Sequence, residues 1–169
     1  MEGHHLAESE PRGCVSAILR LFGMGVASER VADAALPYCR KDYLFSRAEA
    51  SFFGVLKQVV DGRYLIFAKV RMADLLYLPK GTQARQGALN KIQSKHVDFL
   101  LCSIDGIRPL LAIELDDSSH DAPHRVLRDA FVVKAFSDAG LPLIQVRARA
   151  SYNASEIAER IQSAISPTR

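Results

Sequence analysis

The stretch from Lys95 to His120 constrains the chain more than any other, because two apolar runs there flank an Asp105-Gly106 pair. That arrangement marks a β-hairpin. Side chains alternate between the two faces of a strand, so Asp98 shares a face with His96, and Glu114 shares one with Asp116. Register decides whether these acids meet. A two-residue loop of Asp105 and Gly106 puts Asp98 and Glu114 on opposite faces and also splits the apolar residues. A three-residue loop, Ile104 to Gly106 with Gly106 in the left-handed conformation of a G1 bulge, pairs Ser103 with Ile107 and Asp98 with Ala112. Val97, Phe99 and Leu101 then lie over Leu111 and Ile113 on a buried face. Asp98 lies diagonal to Glu114 on the other face, at the ~7–8 Å spacing of diagonal neighbours. Several anions on a half-buried sheet are unfavourable without a compensating cation or protons, so this register predicts a divalent-metal site.

A chain of 169 residues, 49% hydrophobic, has room for one domain with a substantial core. Residues 1–35 read as an N-terminal extension, weakly structured or helical, with Gly13, Gly23 and Gly25 weakening any helix. Residues 36–169 read as the domain. His4-His5, on a free end, is incidental. The net charge of +3 neither demands nor excludes nucleic acid, but its distribution is uneven. No acid occurs from Pro79 through Val97, whereas Lys80, Arg85, Lys91 and Lys95 do. This segment reads as a long loop suited to phosphate oxygens, or as a solvated surface loop that binds nothing. Cys14, Cys39 and Cys102 show no Cys-x-x-Cys spacing, so neither a disulfide framework nor a structural zinc site is indicated, and a reducing cytoplasm is the simplest setting. The apolar run from Cys14 to Val26, interrupted by Arg20, is too short to span a bilayer.

Ser46-Arg-Ala-Glu49 is a capping box, followed by Phe52, Val55, Leu56 and Val59 at helical spacing. Glu49 lies on the stripe of Phe52, Phe53 and Leu56, where a carboxylate either reaches back to the Ser46 amide or has a task of its own. Tyr64 to Val70 is a strand carrying Lys69 near its end, and Met72 to Leu78 a short helix. Asp121 and Pro123 open a helix over 122–139 that stops at Gly140-Leu-Pro142, with Arg125 and Arg128 facing a phosphate or pairing with Asp121 and Asp129. Leu143 to Val146 is a strand that a helix separates from the preceding one, which implies a right-handed parallel crossover. Asn153 or Ser151 caps a final amphipathic helix. The order is helix, three strands, helix, strand, helix: a mixed sheet with helices packed on it.

The residues from about Leu36 to Val146 resemble the restriction-endonuclease-like superfamily, PD-(D/E)xK, whose signature is an Asp and a Glu-x-Lys on neighbouring strands of an α-β-β-β-α-β core. More narrowly, Leu36-Pro-Tyr, Ser46-x-x-Glu49, Lys69-Val-Arg-Met-Ala-Asp74, Lys95-His-Val-Asp98-Phe and Ala112-Ile-Glu-Leu-Asp-Asp-Ser-Ser-His120 resemble a bacterial domain family of unknown function within it. The Glu-x-Asp-Asp-x-x-His stretch, with Arg128-Asp129 and Gly140-Leu-Pro-Leu, is similar to the very-short-patch-repair endonuclease branch. The resemblance implies an α/β fold with a flanked mixed sheet and a metal-dependent nuclease that hydrolyses DNA. Asp98 and Glu114 would be metal ligands, Glu49 the acid of the first core helix, and His120 a proton-transfer residue. One departure matters: the position of the superfamily's lysine, two after the glutamate, is Asp116. Either Lys95, Lys69 or Lys134 reaches in from another element, or Asp116 coordinates a metal, or the chemistry is lost and a nuclease-fold module binds nucleic acid or a protein partner. An acid-rich cluster without cysteine suits Mg2+ or Mn2+ better than zinc, and a zinc site at His120 and His124 is a minor rival. Arg125, Arg128, Lys91 and Lys95, with Lys80 and Arg85, are the candidate phosphate contacts.

Overall fold

The structure, a computed structural model, describes residues 35–116 and 123–166. The chain divides into two units, Met1–Lys41 and Asp42–Arg169. Of the first, residues 35–41 are described, and these form neither helix nor strand and are exposed.

The second unit is a mixed α/β layer structure: α1 (Arg47–Val60), β1 (Leu65–Arg71), α2 (Met72–Leu75), α3 (Arg85–Ile92), β2 (His96–Cys102), β3 (Pro109–Asp116), α4 (Pro123–Asp138), β4 (Leu143–Arg147) and α5 (Ala154–Ile165). The four strands lie in the order β1-β2-β3-β4. The β1–β2 and β2–β3 pairs are antiparallel, whereas β3 and β4, joined through α4, run parallel. Helices cover both faces. Phe52 and Leu56 of α1 and Ile157 and Ile161 of α5 pack on Phe99, Leu101, Leu111, Ile113 and Val146. On the other side Met72, Ile92, Val132 and Phe136 pack on Val97, Leu100, Cys102 and Ala112. Phe99, fully buried, is the hub of an aromatic group: its ring lies 5.5 Å from Phe45 and 5.6 Å from Phe52, and stacks on Phe53 at 6.0 Å.

Local sequence sets the helix ends. The Ser46 hydroxyl accepts the Glu49 amide at 3.3 Å while Glu49 Oε2 accepts the Ser46 amide at 2.8 Å, so two otherwise orphaned donors are satisfied. Asn153 Oδ1 accepts the amides of Ser155 and Glu156 at the start of α5. Gly140, at φ +70°, ends α4 in a Schellman motif, with Leu141 N–H donating to Phe136 O and Gly140 N–H to Ser137 O.

Three expectations need correction. The basic segment is not loop throughout, because Arg85–Ile92 forms α3. Its single buried residue, Ile92, anchors a helix too polar to show the usual apolar stripe. The hairpin loop has four residues, Ile104 to Ile107, closed by Ser103, whose N–H donates to Arg108 O and whose hydroxyl accepts the Arg108 amide. Leu110 is then an extra residue in β3, since Cys102 pairs with Pro109 but Leu101 with Leu111. The register becomes Phe99↔Ile113, so continuing it one step sets Asp98 directly across from Glu114, not from Ala112.

The third correction concerns alternation. Ile66 and Ala68 face the α1 side, yet Val70 joins Leu65 on the α4 side; likewise Phe99 and Leu101 face α1 while Val97 faces α4. Strict alternation would keep Val70 with Ala68 and Val97 with Phe99. Lys69, at φ +55°, supplies the turn-over between Ala68 and Val70, and the strand opposite follows it.

Candidate active site

Where β1 and β2 change face, three charged side chains meet. Lys69 Nζ donates to Glu49 Oε1 and, at 3.3 Å, to Asp98 Oδ1. Asp98 Oδ2 accepts the Leu115 amide at 2.9 Å, so a carboxylate occupies the gap between β2 and β3 just past Phe99↔Ile113, the end of their paired register. The capping box positions Glu49, the left-handed backbone positions Lys69, and the Leu115 amide positions Asp98. All three are largely shielded, with side-chain exposures of 14%, 29% and 18%.

Shielding sharpens the electrostatics. Burial on its own raises the Glu49 carboxyl, but the Lys69 ammonium and the Ser46 amide and hydroxyl outweigh it and hold the pKa down at about 2. Burial likewise opposes the Lys69 charge, and Glu49 and Asp98 overcome it, raising the ammonium pKa above its ordinary 10.5. Lys69 is therefore a permanent cation near neutral pH. Glu49 reaches back to the Ser46 amide, as one of the two readings expects, and also pairs with Lys69.

Of the three lysines considered for the site, Lys69 reaches Asp98. Lys134 pairs with Asp138 one helical turn on, and Lys95 Nζ lies 6.0 Å from the centre of the Phe131 ring. Glu114 lies between Ile113 and Leu115, which both pack toward α1, so it leaves the sheet on the Ala112 face. A shared face for Asp98 and Glu114, expected from alternation, gives way to neighbouring positions with different aims, Asp98 being drawn toward Lys69 and Glu49. Asp116 is exposed, and its carbonyl accepts the Ala148 amide at 2.8 Å. Among the described residues no group of three His, Cys, Asp or Glu side chains is gathered as for a metal ion. His120 and the side chains of Arg125 and Arg128 lie outside the described residues.

The basic candidates separate by task. Lys80 and Lys91 are exposed, whereas Arg85 donates to the carbonyls of Leu78 and Pro79 at 2.7 and 3.3 Å and so closes the loop ahead of α3. A second basic group escapes the sequence reading: Arg147, Arg149 and Arg160 line a cleft between β4 and α5. An Arg-x-Arg at the end of a strand, just ahead of a capped helix, is the signal that marks it. Among the described residues no helix is long and apolar enough to cross a membrane.

Comparison with curated proteins and with solved structures finds no match. Residues 41–165, which contain every element and every charged group above, match the family described as "Protein of unknown function (DUF2726)", and the chain belongs to that family.

Proposed function

We propose that this protein is a metal-dependent nuclease that hydrolyses DNA phosphodiester bonds on a restriction-endonuclease-like core. The observation that carries the reading is Lys69. The superfamily that the sequence resembles needs a lysine beside its Asp and Glu, and Asp116 takes that place here. An ammonium delivered from β1 to Asp98 supports a relocated lysine. A non-glycine residue in left-handed backbone costs about 1–2 kcal/mol, and Lys69 differs from Asp61, Ala84 and Ile107, which share it, in lying inside a strand and not at a helix end or hairpin tip. The α-β-β-β-α-β order and the parallel β3–β4 pair support the same reading.

The donors fit a hard cation, being carboxylate oxygens on adjoining strands with no thiolate among them. For Asp98 and Glu114, with Asp116, to hold Mg2+ or Mn2+, the Asp98 carboxylate would have to leave Lys69 and turn toward the Glu114 face; the ion when bound would supply Lewis acidity toward a phosphate oxygen. The remaining work falls to the chain. Because its pKa is raised, Lys69 cannot take a proton from water near pH 7; it serves as a fixed cation that orients the attacking water and offsets charge developing on the phosphate. Glu49 holds that ammonium in place. His120 would deliver a proton to the leaving oxygen. Lys80, Lys91 and Lys95 would meet flanking phosphates, and the reducing cytoplasm suits such an enzyme.

One observation favours a second reading, a nuclease-fold module that binds nucleic acid or a protein without cutting. Both oxygens of Glu49 and both of Asp98 already have partners within the protein. Nicking of supercoiled plasmid with Mg2+ or Mn2+ separates the two. The nuclease reading expects nicking that falls about 100-fold or more in Asp98→Ala and Glu114→Ala. Wild-type protein that binds DNA but nicks no faster than buffer leaves the module.

A further inference from the structure

The cleft between β4 and α5 is not used by the chemistry above. It encloses about 200 Å³ and is lined by Arg147, Arg149 and Arg160 together with Gln145, Tyr152 and Glu156. Three arginines, charged at any working pH, thus line a small concavity that also has one glutamate in its wall. Among the described residues the guanidinium groups of Arg147 and Arg149 make no ion pair or hydrogen bond, whereas Arg160 Nη2 donates to Gln145 O at 2.6 Å. Arg160 is thereby fixed against the outer edge of β4, the last strand of the sheet. Tyr152 is fixed as well: its hydroxyl accepts the Arg149 amide at 3.0 Å, and its ring meets Phe52 edge-on at 5.1 Å. That hydroxyl keeps its proton for donation. The two amides at the start of α5 are already taken by Asn153, so an anion here would be met by side chains and not by the helix terminus.

Position gives the cleft its meaning. Arg147 pairs in register with Asp116, two residues beyond Glu114, and the Ala148 amide bonds to Asp116 O. Ser51, two residues after Glu49, donates to Ala150 O at 3.1 Å. The arginines therefore sit at the same end of the sheet as the proposed catalytic group. From the strand spacings, the backbone of Arg147 is about 8 Å from that of Glu114. That distance is within the reach of one or two nucleotides of a single strand.

We infer that Arg147, Arg149 and Arg160 form a phosphate-binding subsite that grips the backbone of the same nucleic acid strand one or two nucleotides from the bond to be cut. The inference rests on the nuclease reading for its substrate, and it adds where the strand leaves the site. Arginine suits the task because its planar fork meets two phosphate oxygens at once. Contacts of this kind set register and affinity without reading sequence.

The test is binding of a short fluorescent duplex to the full chain in EDTA, followed by anisotropy over a series of salt concentrations. Arg147→Ala/Arg149→Ala is compared with Lys57→Ala/Lys134→Ala, which removes the same charge from other surfaces. Losing two phosphate contacts is expected to weaken binding and to lower the slope of log affinity against log salt by about 2, roughly 1 per contact, in the arginine variant alone. Unchanged thermal unfolding of that variant keeps a folding defect out of the comparison. Equal slopes for the two double variants overturn the subsite. Calorimetry with inorganic phosphate provides the other arm: a heat that the arginine variant loses, without duplex binding by wild type, assigns the cleft to a free anion and also overturns it. Plasmid nicking keeps the two ideas apart. Absent nicking with an arginine-dependent slope removes the nuclease and keeps the subsite, while nicking with an arginine-independent slope does the reverse.

Discussion

Replacing Glu49 by glutamine removes one charge from the Glu49–Lys69–Asp98 group while leaving an oxygen to accept the Ser46 amide. A carboxyl that titrates at about 2 in the folded chain and at 4.5 in the unfolded one favours the native state above pH 4.5. That advantage disappears as pH falls toward 2. At about 1.4 kcal/mol per pH unit of separation, it is worth about 3 kcal/mol at pH 7 and about 1 kcal/mol at pH 3. Water reaches 14% of the side chain, so screening trims the neutral-pH figure toward about 2 kcal/mol. Urea unfolding followed by circular dichroism, for wild type and Glu49→Gln at both pH values, measures the difference. The stability gap should narrow by at least half between pH 7 and pH 3. A gap of the same size at both would mean that ionisation of Glu49 contributes nothing and that glutamine merely disturbs the cap.

Removing the cation by Lys69→Met leaves the upward push of burial on Glu49 opposed by Ser46 alone, so carboxyl NMR should find the Glu49 pKa well above 2. In the same variant Asp98 loses a competitor for cations. Calorimetry should show tighter Mn2+ binding while nicking falls about 100-fold, a split that a purely structural lysine would not produce. At the hairpin tip, Ile107→Gly should stabilise the protein by about 0.5–1 kcal/mol in urea unfolding. Ile107 sits at φ +51° with 56% of its surface exposed, a conformation that glycine adopts without strain; destabilisation beyond about 1 kcal/mol would mean that its exposed side chain is packed in solution.

What the sequence made legible was local. Ser46 and Glu49, Asn153, and Gly140 announced three helix ends because a cap is written within four residues of the end it closes. The strands and their order followed from apolar runs of strand length. What stayed hidden depends on residues distant in the chain. Helix α3 draws its support from Ile92 lying in the second cluster and not from any stripe of its own. The hairpin register depends on Ser103 bracing a four-residue loop and on the extra residue at Leu110, neither of which Asp105-Gly106 reveals. The arginine cleft needs Arg147 and Arg160, thirteen positions apart in the chain, to meet across β4 and α5.

Lys69 shows why the site in particular resisted reading. Lysine in a left-handed conformation runs against every strand preference, so a pattern of alternating faces passes straight through it. Yet the same turn of the backbone explains three observations at once: Val70 and Val97 change sides, the ammonium points at Asp98, and the Asp98 carboxylate takes the Leu115 amide. Pairing two shielded carboxylates with a lysine stabilises the irregular form, by about 2 kcal/mol at neutral pH through Glu49, because all three are held together. The same cation lies at the end of the sheet that carries Glu114, Asp116 and Arg147, which is where the proposed nuclease chemistry would use it.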